Sequence, residues 1–152
     1  ANADPAADYP AALLGLGATV ITNQREIAAD DFFVDLFETA LEPSELITVV
    51  RFPIPQRAGY SKFPNPASRY AIVGVFVAQT DGGVRVAVTG AKGSVFRVTE
   101  MEQALASNFS PESVANIRVP ADDMNSDIHA SSEYRAHLVT VMAKRAVAAA
   151  EG

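Results

Sequence analysis

The chain has 152 residues, of which 49% are hydrophobic, so it can bury a core and is not a disordered protein. Its formal net charge of −6 argues against nucleic acid as the main partner, because phosphate binding requires a basic face. The absence of cysteine excludes a disulfide, a thiolate zinc site and an iron–sulfur cluster carried by the chain itself. No apolar run is long enough to span a bilayer and no secretory signal pattern is present, so a cytoplasmic location is expected.

Short helices and strands alternate in the first third of the chain. Asp4 and Pro5 predict the start of a helix, and Gly17 is typical of the residue that follows a helix end. Pro53 and Pro55 end an alternating strand, because proline cannot donate to a strand ladder. The remaining predictions in this region are strands at 18–21, 25–28 and 46–54, short turns at 30–33 and 36–41, and a connection between domains at 56–59.

The pattern changes after residue 59 to a meander of strands followed by helices, which predicts an α+β fold. The segment 71–79 is nearly all apolar, so it is predicted to be a central strand buried on both faces. Asp81 and Gly82 give a hairpin signal, and Thr99 with Glu102 reads as a capping box that opens a helix. Other predicted elements are strands at 60–63, 84–88 and 95–98 and helices at 99–106, from 110, and over 131–149.

The best candidates for ligand contact lie in the segment 59–75. Lys62 lies on a short strand, and Arg69 and Tyr70 follow a proline-rich turn directly before the apolar strand. A lysine, an arginine and a tyrosine at one turn suit an anionic, flat ligand. The alternative is an ordinary connection between strands whose charges are solvated.

Two weaker constellations also occur. His129, Glu133 and His137 recur at four-residue spacing, so on one helix they could form a zinc or iron site, or else only a surface contact. Asp4 and Asp8 are predicted to share a helix face, where paired carboxylates could do acid–base work or simply satisfy helix amides. The chain shows no complete active site, so no catalytic residue is predicted.

Four segments, at 3–14, 60–63, 65–71 and 126–135, together resemble one family. It is the medium, FAD-binding subunit of the molybdenum hydroxylases, the enzymes of the carbon monoxide dehydrogenase and xanthine dehydrogenase type. The resemblance covers essentially the whole chain, but the two glycine-rich FAD loops of the family are absent from it. The resemblance therefore implies the C-terminal half of that subunit. Residues 1–57 would end an FAD-binding subdomain, and residues 58–152 would form a three-stranded antiparallel sheet packed with helices.

The resemblance also implies four cofactor-binding residues. Asp8 matches an acidic residue that contacts FAD, and Ile47 matches an apolar residue beside the flavin. Lys62 matches a lysine near the cofactor, and Tyr70 matches an aromatic position near the flavin in the carbon monoxide branch. Arg69 departs from the family, because many relatives have an acidic residue there.

The function implied by the resemblance is electron transfer within a complex. Substrate would be oxidised at a molybdopterin centre on a large subunit, and electrons would pass through 2Fe–2S clusters on a small subunit to FAD and then to NAD or another acceptor. The FAD would be shared with an N-terminal half of the same subunit. The rival hypothesis is a docking module of the same fold without flavin, and a third is a stand-alone metal enzyme.

Overall fold

The chain combines antiparallel sheets with helices, most of which lie in separate stretches of the sequence, and this confirms the predicted α+β class. The structure is a computed structural model, and it describes residues 3–151. In that range no helix is both long and apolar enough to cross a membrane. In chain order the elements are α1 (Asp8–Leu16), β1 (Thr19–Thr22), β2 (Glu26–Ala28), α2 (Ala29–Phe32), β3 (Phe33–Asp35), β4 (Glu38–Thr39), β5 (Ile47–Arg51), β6 (Arg57–Pro64), β7 (Ala71–Thr80), β8 (Gly83–Thr89), β9 (Phe96–Arg97), α3 (Thr99–Ser107), α4 (Pro111–Val114) and α5 (Ser132–Glu151).

The largest sheet has the strand order β6-β7-β8-β9 and is antiparallel throughout. Its strand β7 is central and buried on both faces, as its continuous apolar sequence predicts. Val73, Val75 and Val77 belong to the core formed with α5, whereas Phe76 packs with the core around α1. Strands β6, β7 and β8 include the strands predicted at 60–63, 71–79 and 84–88, and β9 lies within the strand predicted at 95–98. The sheet therefore has four strands rather than the expected three.

A smaller antiparallel sheet, of order β2-β1-β5, precedes the large one. Strand β5 lies at its edge, where Val50 pairs with Val20 and Val49 pairs with Ile21. The segment predicted as a turn at 36–41 belongs to a hairpin. Residues 36 and 37 form the turn, and β4, which follows them, pairs with β3. Phe37 at its tip has a φ of 55°, a left-handed conformation that a bulky residue rarely adopts.

The first helix begins later than predicted. Asp4 does not cap it, because the Asp4 carboxylate accepts the Ala6 amide within a turn. The carbonyl of Pro5 accepts the Gly90 amide at 2.6 Å, which ties this segment to the end of β8. Helix α1 therefore starts at Asp8, and the predicted pair of carboxylates on one helix face is not formed. Gly17 does end α1 in the left-handed conformation, as predicted.

The predicted capping box of α3 is also wrong. No side chain caps this helix, and the carboxylate of Glu102 points back to the sheet instead. It accepts the Val86 amide at 3.0 Å and the Arg97 guanidinium at 2.6 Å. Arg97 also donates to Asp30 of α2 at 2.9 Å, so this network ties α2 and α3 to the large sheet.

The buried carboxylate of Glu45 stabilises the loop before β5 through hydrogen bonds. It accepts hydrogen bonds from the hydroxyl of Thr22 at 2.7 Å, from the Arg25 guanidinium at 2.9 Å and from the amide of Glu42 at 2.9 Å. Arg25, followed by the Glu42 amide and the Thr22 hydroxyl, lowers the pKa of Glu45 to about 2.

This carboxylate gives the fold a predicted sensitivity to acid. Because its pKa falls from an ordinary value of 4.5 to about 2 on folding, the stabilisation is complete above pH 4.5 and is lost as the pH falls through 2. We expect Glu45→Gln to unfold at lower urea concentration than the wild type at pH 7, with a smaller difference at pH 3. Glu112→Gln, at an exposed position, is the control. An equal difference at both pH values would contradict this role.

Candidate functional site

An open cleft of about 470 Å³ lies between the start of α1 and the turn that joins β6 to β7. Asp8 reaches it from the first turn of α1, Lys62 from β6, and Tyr70 from the residue before β7. The structure therefore brings together three of the four residues predicted to bind a cofactor. The cleft is lined by Ala7, Asp8, Tyr9, Lys62, Ser68, Arg69 and Tyr70.

Asp8 is the centre of a hydrogen-bond network in this cleft. Its carboxylate accepts the Lys62 ammonium at 2.8 Å and the Tyr60 hydroxyl at 2.5 Å. Burial, reinforced by the hydrogen bond to Asp8, raises the pKa of Tyr60 above its ordinary value, so the phenol remains a donor. The Asp8 carboxylate thus neutralises the charge of Lys62 and fixes the position of the Lys62 ammonium.

Tyr60 was not among the predicted site residues. The signal in the sequence is its spacing, because residues two apart on a strand point to the same face, as Tyr60 and Lys62 do on β6. Gly74 on the paired strand β7 makes room for the ring, since a Cβ at Gly74 would meet the Tyr60 hydroxyl. Phe76 lies beside it, with ring centroids 6.3 Å apart.

Arg69 provides the remaining cation of the cleft. Within the described range its guanidinium forms no ion pair, in contrast to Lys62. The turn holds it with a φ of 66°, and the Arg69 amide donates to the Asn65 carbonyl at 3.0 Å. A free guanidinium on the rim can meet a phosphate oxygen with two parallel hydrogen bonds.

Two tyrosines border the same cleft with large exposed surfaces. Tyr70 is 51% exposed and Tyr9 is 69% exposed. Exposed aromatic rings in a cleft can stack on a flat ligand at little conformational cost. Tyr9 was not predicted, and only its position beside Asp8 at the helix start could have indicated it.

Ile47 lies in a second, apolar cleft of about 470 Å³ rather than in the first one. This cleft is formed by α1, α2 and β5, and its walls include Leu13, Phe33 and Phe52. Tyr9 lines both clefts, so they adjoin along this ring. The predicted site is therefore divided into a polar part at Asp8 and Lys62 and an apolar part at Ile47.

Of the two alternatives for His129, Glu133 and His137, the metal site is not formed in the described part of the chain. Helix α5 begins at Ser132, so His129 lies in the preceding loop and does not share a helix face with Glu133 and His137. Among residues 3–151 no cluster of three or more histidine, aspartate or glutamate side chains could hold a metal ion.

The chain is similar to proteins of known function, in part and as a whole. Residues 1–55 match the FAD binding domain in molybdopterin dehydrogenase. The nicotine 6-hydroxylase medium subunit of Paenarthrobacter nicotinovorans is 35% identical over 161 residues, a match that covers 97% of this chain and 57% of that subunit. Residues 1–55 therefore belong to this family of FAD-binding domains, and the chain as a whole is similar to medium subunits of molybdenum hydroxylases. The glyceraldehyde dehydrogenase medium chain of Sulfolobus acidocaldarius is 30% identical over 160 residues, covering 95% of this chain and 57% of the relative.

The fold agrees with this medium-subunit family. A crystal structure of the Cu,Mo-CO dehydrogenase in its cyanide-inactivated form has a TM-score of 0.81 and 28% identity, covering 99% of this chain and 58% of the other. The chain thus spans just over half the length of the relatives it matches.

The residues of the two adjoining clefts fit FAD. A dinucleotide of this kind has a flat ring system with apolar faces and a polar, negatively charged chain. The exposed rings of Tyr9 and Tyr70 and the apolar surface at Ile47 suit the first part, and Arg69 suits the second. Asp8 and Lys62 form a neutral pair that lines the first of these clefts.

Proposed function

We propose that this chain forms part of the FAD site of a molybdenum hydroxylase. In this role, electrons from iron–sulfur clusters pass through the flavin to NAD or another acceptor. FAD, when bound, supplies the redox chemistry, because it exchanges electrons singly or in pairs. The observation that carries the proposal is the pair of adjoining clefts, which join an Asp8–Lys62–Tyr60 network to an apolar surface at Ile47.

The residues of the chain would bind and orient the cofactor rather than react. Lys62, held in a neutral pair with Asp8, presents a fixed ammonium donor, and its side chain is 28% exposed, so it is partly shielded from water. Tyr70 offers a ring face and a hydroxyl, and Ile47 offers an apolar contact with its half-exposed side chain. Together these groups would orient the flavin and exclude water from one side of it.

The proposal includes a domain division and a set of partners. Residues 1–57 would end the FAD-binding subdomain, and residues 58–152 would form the C-terminal domain of the flavoprotein. The match of residues 1–55 to the family model supports the first boundary. The partners would be the rest of the FAD subunit, a 2Fe–2S small subunit and a molybdopterin large subunit, in the cytoplasm. The lengths of the relatives support a site completed by residues outside this chain.

The test is the flavin content of the assembled enzyme with Lys62→Ala or Tyr70→Phe. We expect Lys62→Ala to weaken FAD binding about tenfold, because it removes a charge-assisted contact and leaves the Asp8 carboxylate unneutralised. Tyr70→Phe keeps the ring and removes its hydroxyl, so a smaller loss is expected. FAD per molybdenum is measured by absorbance after gel filtration.

Matched controls separate a local effect from a general one. Lys144→Ala removes an exposed lysine from α5, and Tyr134→Phe removes a hydroxyl from a ring that packs on Phe63. Both should leave the flavin content unchanged. If Lys62→Ala and Tyr70→Phe also leave it unchanged, the flavin proposal fails and the alternative function, a docking module without flavin, is favoured.

A further inference from the structure

A third cleft, of about 270 Å³, lies where the turn before β7 meets the loop that leads into α5. Its polar side chains come from Asn65, Ser68, Tyr70, Asn125, Asp127, His129 and Arg135. Tyr70 and His129 are the members of this set that the sequence singled out for ligand contact, and among residues 3–151 no metal site forms at His129. Apart from Tyr70, which lines both clefts, none of these residues has a role in the proposed flavin site.

Arg135 is the deepest of these groups and is only 4% exposed. One terminal nitrogen donates to the carbonyls of Ile72 and Gly90 at 2.7 and 2.9 Å, and the other donates to Asp127 at 2.6 Å. The third nitrogen, Nε, is buried and has no hydrogen-bond partner in the described part of the chain. A buried donor without an acceptor is unfavourable, so an acceptor from outside the chain would stabilise the Nε–H group of Arg135.

The acceptors around the cleft are already engaged. The Asp127 carboxylate accepts the amides of His129 and Ala130 and the guanidinium of Arg135. The side-chain oxygen of Asn65 accepts two backbone amides of its own turn.

The groups left over are mainly donors. They are the Arg135 Nε–H, the side-chain NH₂ of Asn65 and the hydroxyl hydrogen of Ser68, and Asn125 and His129 can each present a further donor. A site rich in donors with occupied acceptors selects a ligand rich in acceptors.

We propose that this cleft binds a small oxyanion, a phosphate or a carboxylate, with one oxygen accepting the Nε–H of Arg135. Ser68 and Tyr70 line both this cleft and the one at Asp8, so the bound oxyanion lies beside the candidate flavin site. It would therefore be placed to hold the charged group of a second ligand. The proposal does not depend on flavin, because none of its donors comes from Asp8 or Lys62.

The test is calorimetric titration of the assembled, FAD-loaded protein with inorganic phosphate and, separately, with acetate, at constant ionic strength. Saturable binding of at least one ion is expected, and the preferred ion identifies the ligand as phosphate or carboxylate. Asn125→Asp should weaken that binding about tenfold or more, because it replaces a donor with a repelling charge of the same shape. Asn125→Ala, which only removes the donor, should weaken it less.

Asn116→Asp is the matched control, because it adds the same charge at an exposed position outside the cleft. It should bind the ion like the wild type. The proposal is overturned if neither ion binds saturably, which leaves Arg135 Nε to a water molecule, or if Asn125→Asp binds as tightly as Asn116→Asp. Flavin content is measured on the same samples, so failure of the flavin site is recognised separately.

Discussion

Gly59→Ala is expected to destabilise the fold by about 3 kcal/mol or more. Gly59 lies on β6 directly under α5, and a Cβ there would collide with the carbonyl oxygen of Ala146 and come within 2.8 Å of the Ala150 amide nitrogen. Both atoms belong to the helix backbone, so neither can rotate out of the way as a side chain would. The helix as a whole would have to move off the sheet, and the core beneath it would open.

Urea unfolding followed by circular dichroism measures this effect. Gly82→Ala is the matched control, because the nearest atom to its Cβ is the Thr80 hydroxyl oxygen at 3.5 Å, an ordinary contact. It should change the free energy of unfolding by less than about 1 kcal/mol. If Gly59→Ala were equally mild, the close packing of α5 on β6 would be wrong.

The contact between Gly59 and α5 also affects the candidate site, because β6 carries Tyr60 and Lys62 one and three residues after Gly59. A shift of α5 against β6 would move the two side chains that hold Asp8. We therefore expect any Gly59→Ala protein that folds to lose flavin as well as stability, whereas variants at Lys62 should lose flavin with little change in unfolding.

Local sequence patterns predicted the parts of the fold that depend on neighbouring residues. The continuous apolar run of β7, the Asp81–Gly82 hairpin and the left-handed Gly17 are each decided within a few residues, so each was confirmed. The start of α1 and the capping of α3 were mispredicted because distant partners compete for the same groups. Pro5 bonds to the end of β8, and Glu102 bonds to the sheet instead of its own helix.

The candidate site also depends on contacts between distant residues that local sequence patterns do not predict. The resemblance singled out Asp8, Ile47, Lys62 and Tyr70. The sequence could not show, however, that Asp8 and Lys62, which are 54 positions apart, form an ion pair. Nor could it show that Ile47 lies in an adjoining cleft, since that depends on how β5 pairs with β1. Such contacts between distant segments are fixed by the tertiary fold and leave no periodic signal in the sequence.

Arg135→Met is the second substitution with a large expected effect, a loss of about 3–5 kcal/mol in the free energy of unfolding. Methionine fills much of the same space but donates no hydrogen bond. The carbonyls of Ile72 and Gly90 would lose the guanidinium that satisfies them, and Asp127 would lose its charge partner. Arg145→Met, at an exposed position of the same helix, should change the stability by less than about 0.5 kcal/mol.

Asp127→Asn separates the two parts of this effect. The amides of His129 and Ala130 and the charge of Arg135 outweigh burial and hold the pKa of Asp127 below its ordinary value, so the pair is ionised at neutral pH. The Asp127 side chain is nevertheless 44% exposed, whereas that of Arg135 is 5% exposed. Breaking the pair from the aspartate side leaves both carbonyl bonds intact, so it should destabilise the fold by about 1 kcal/mol. Equal losses for Asp127→Asn and Arg135→Met would mean that the ion pair, rather than the buried carbonyls, accounts for the contribution of Arg135.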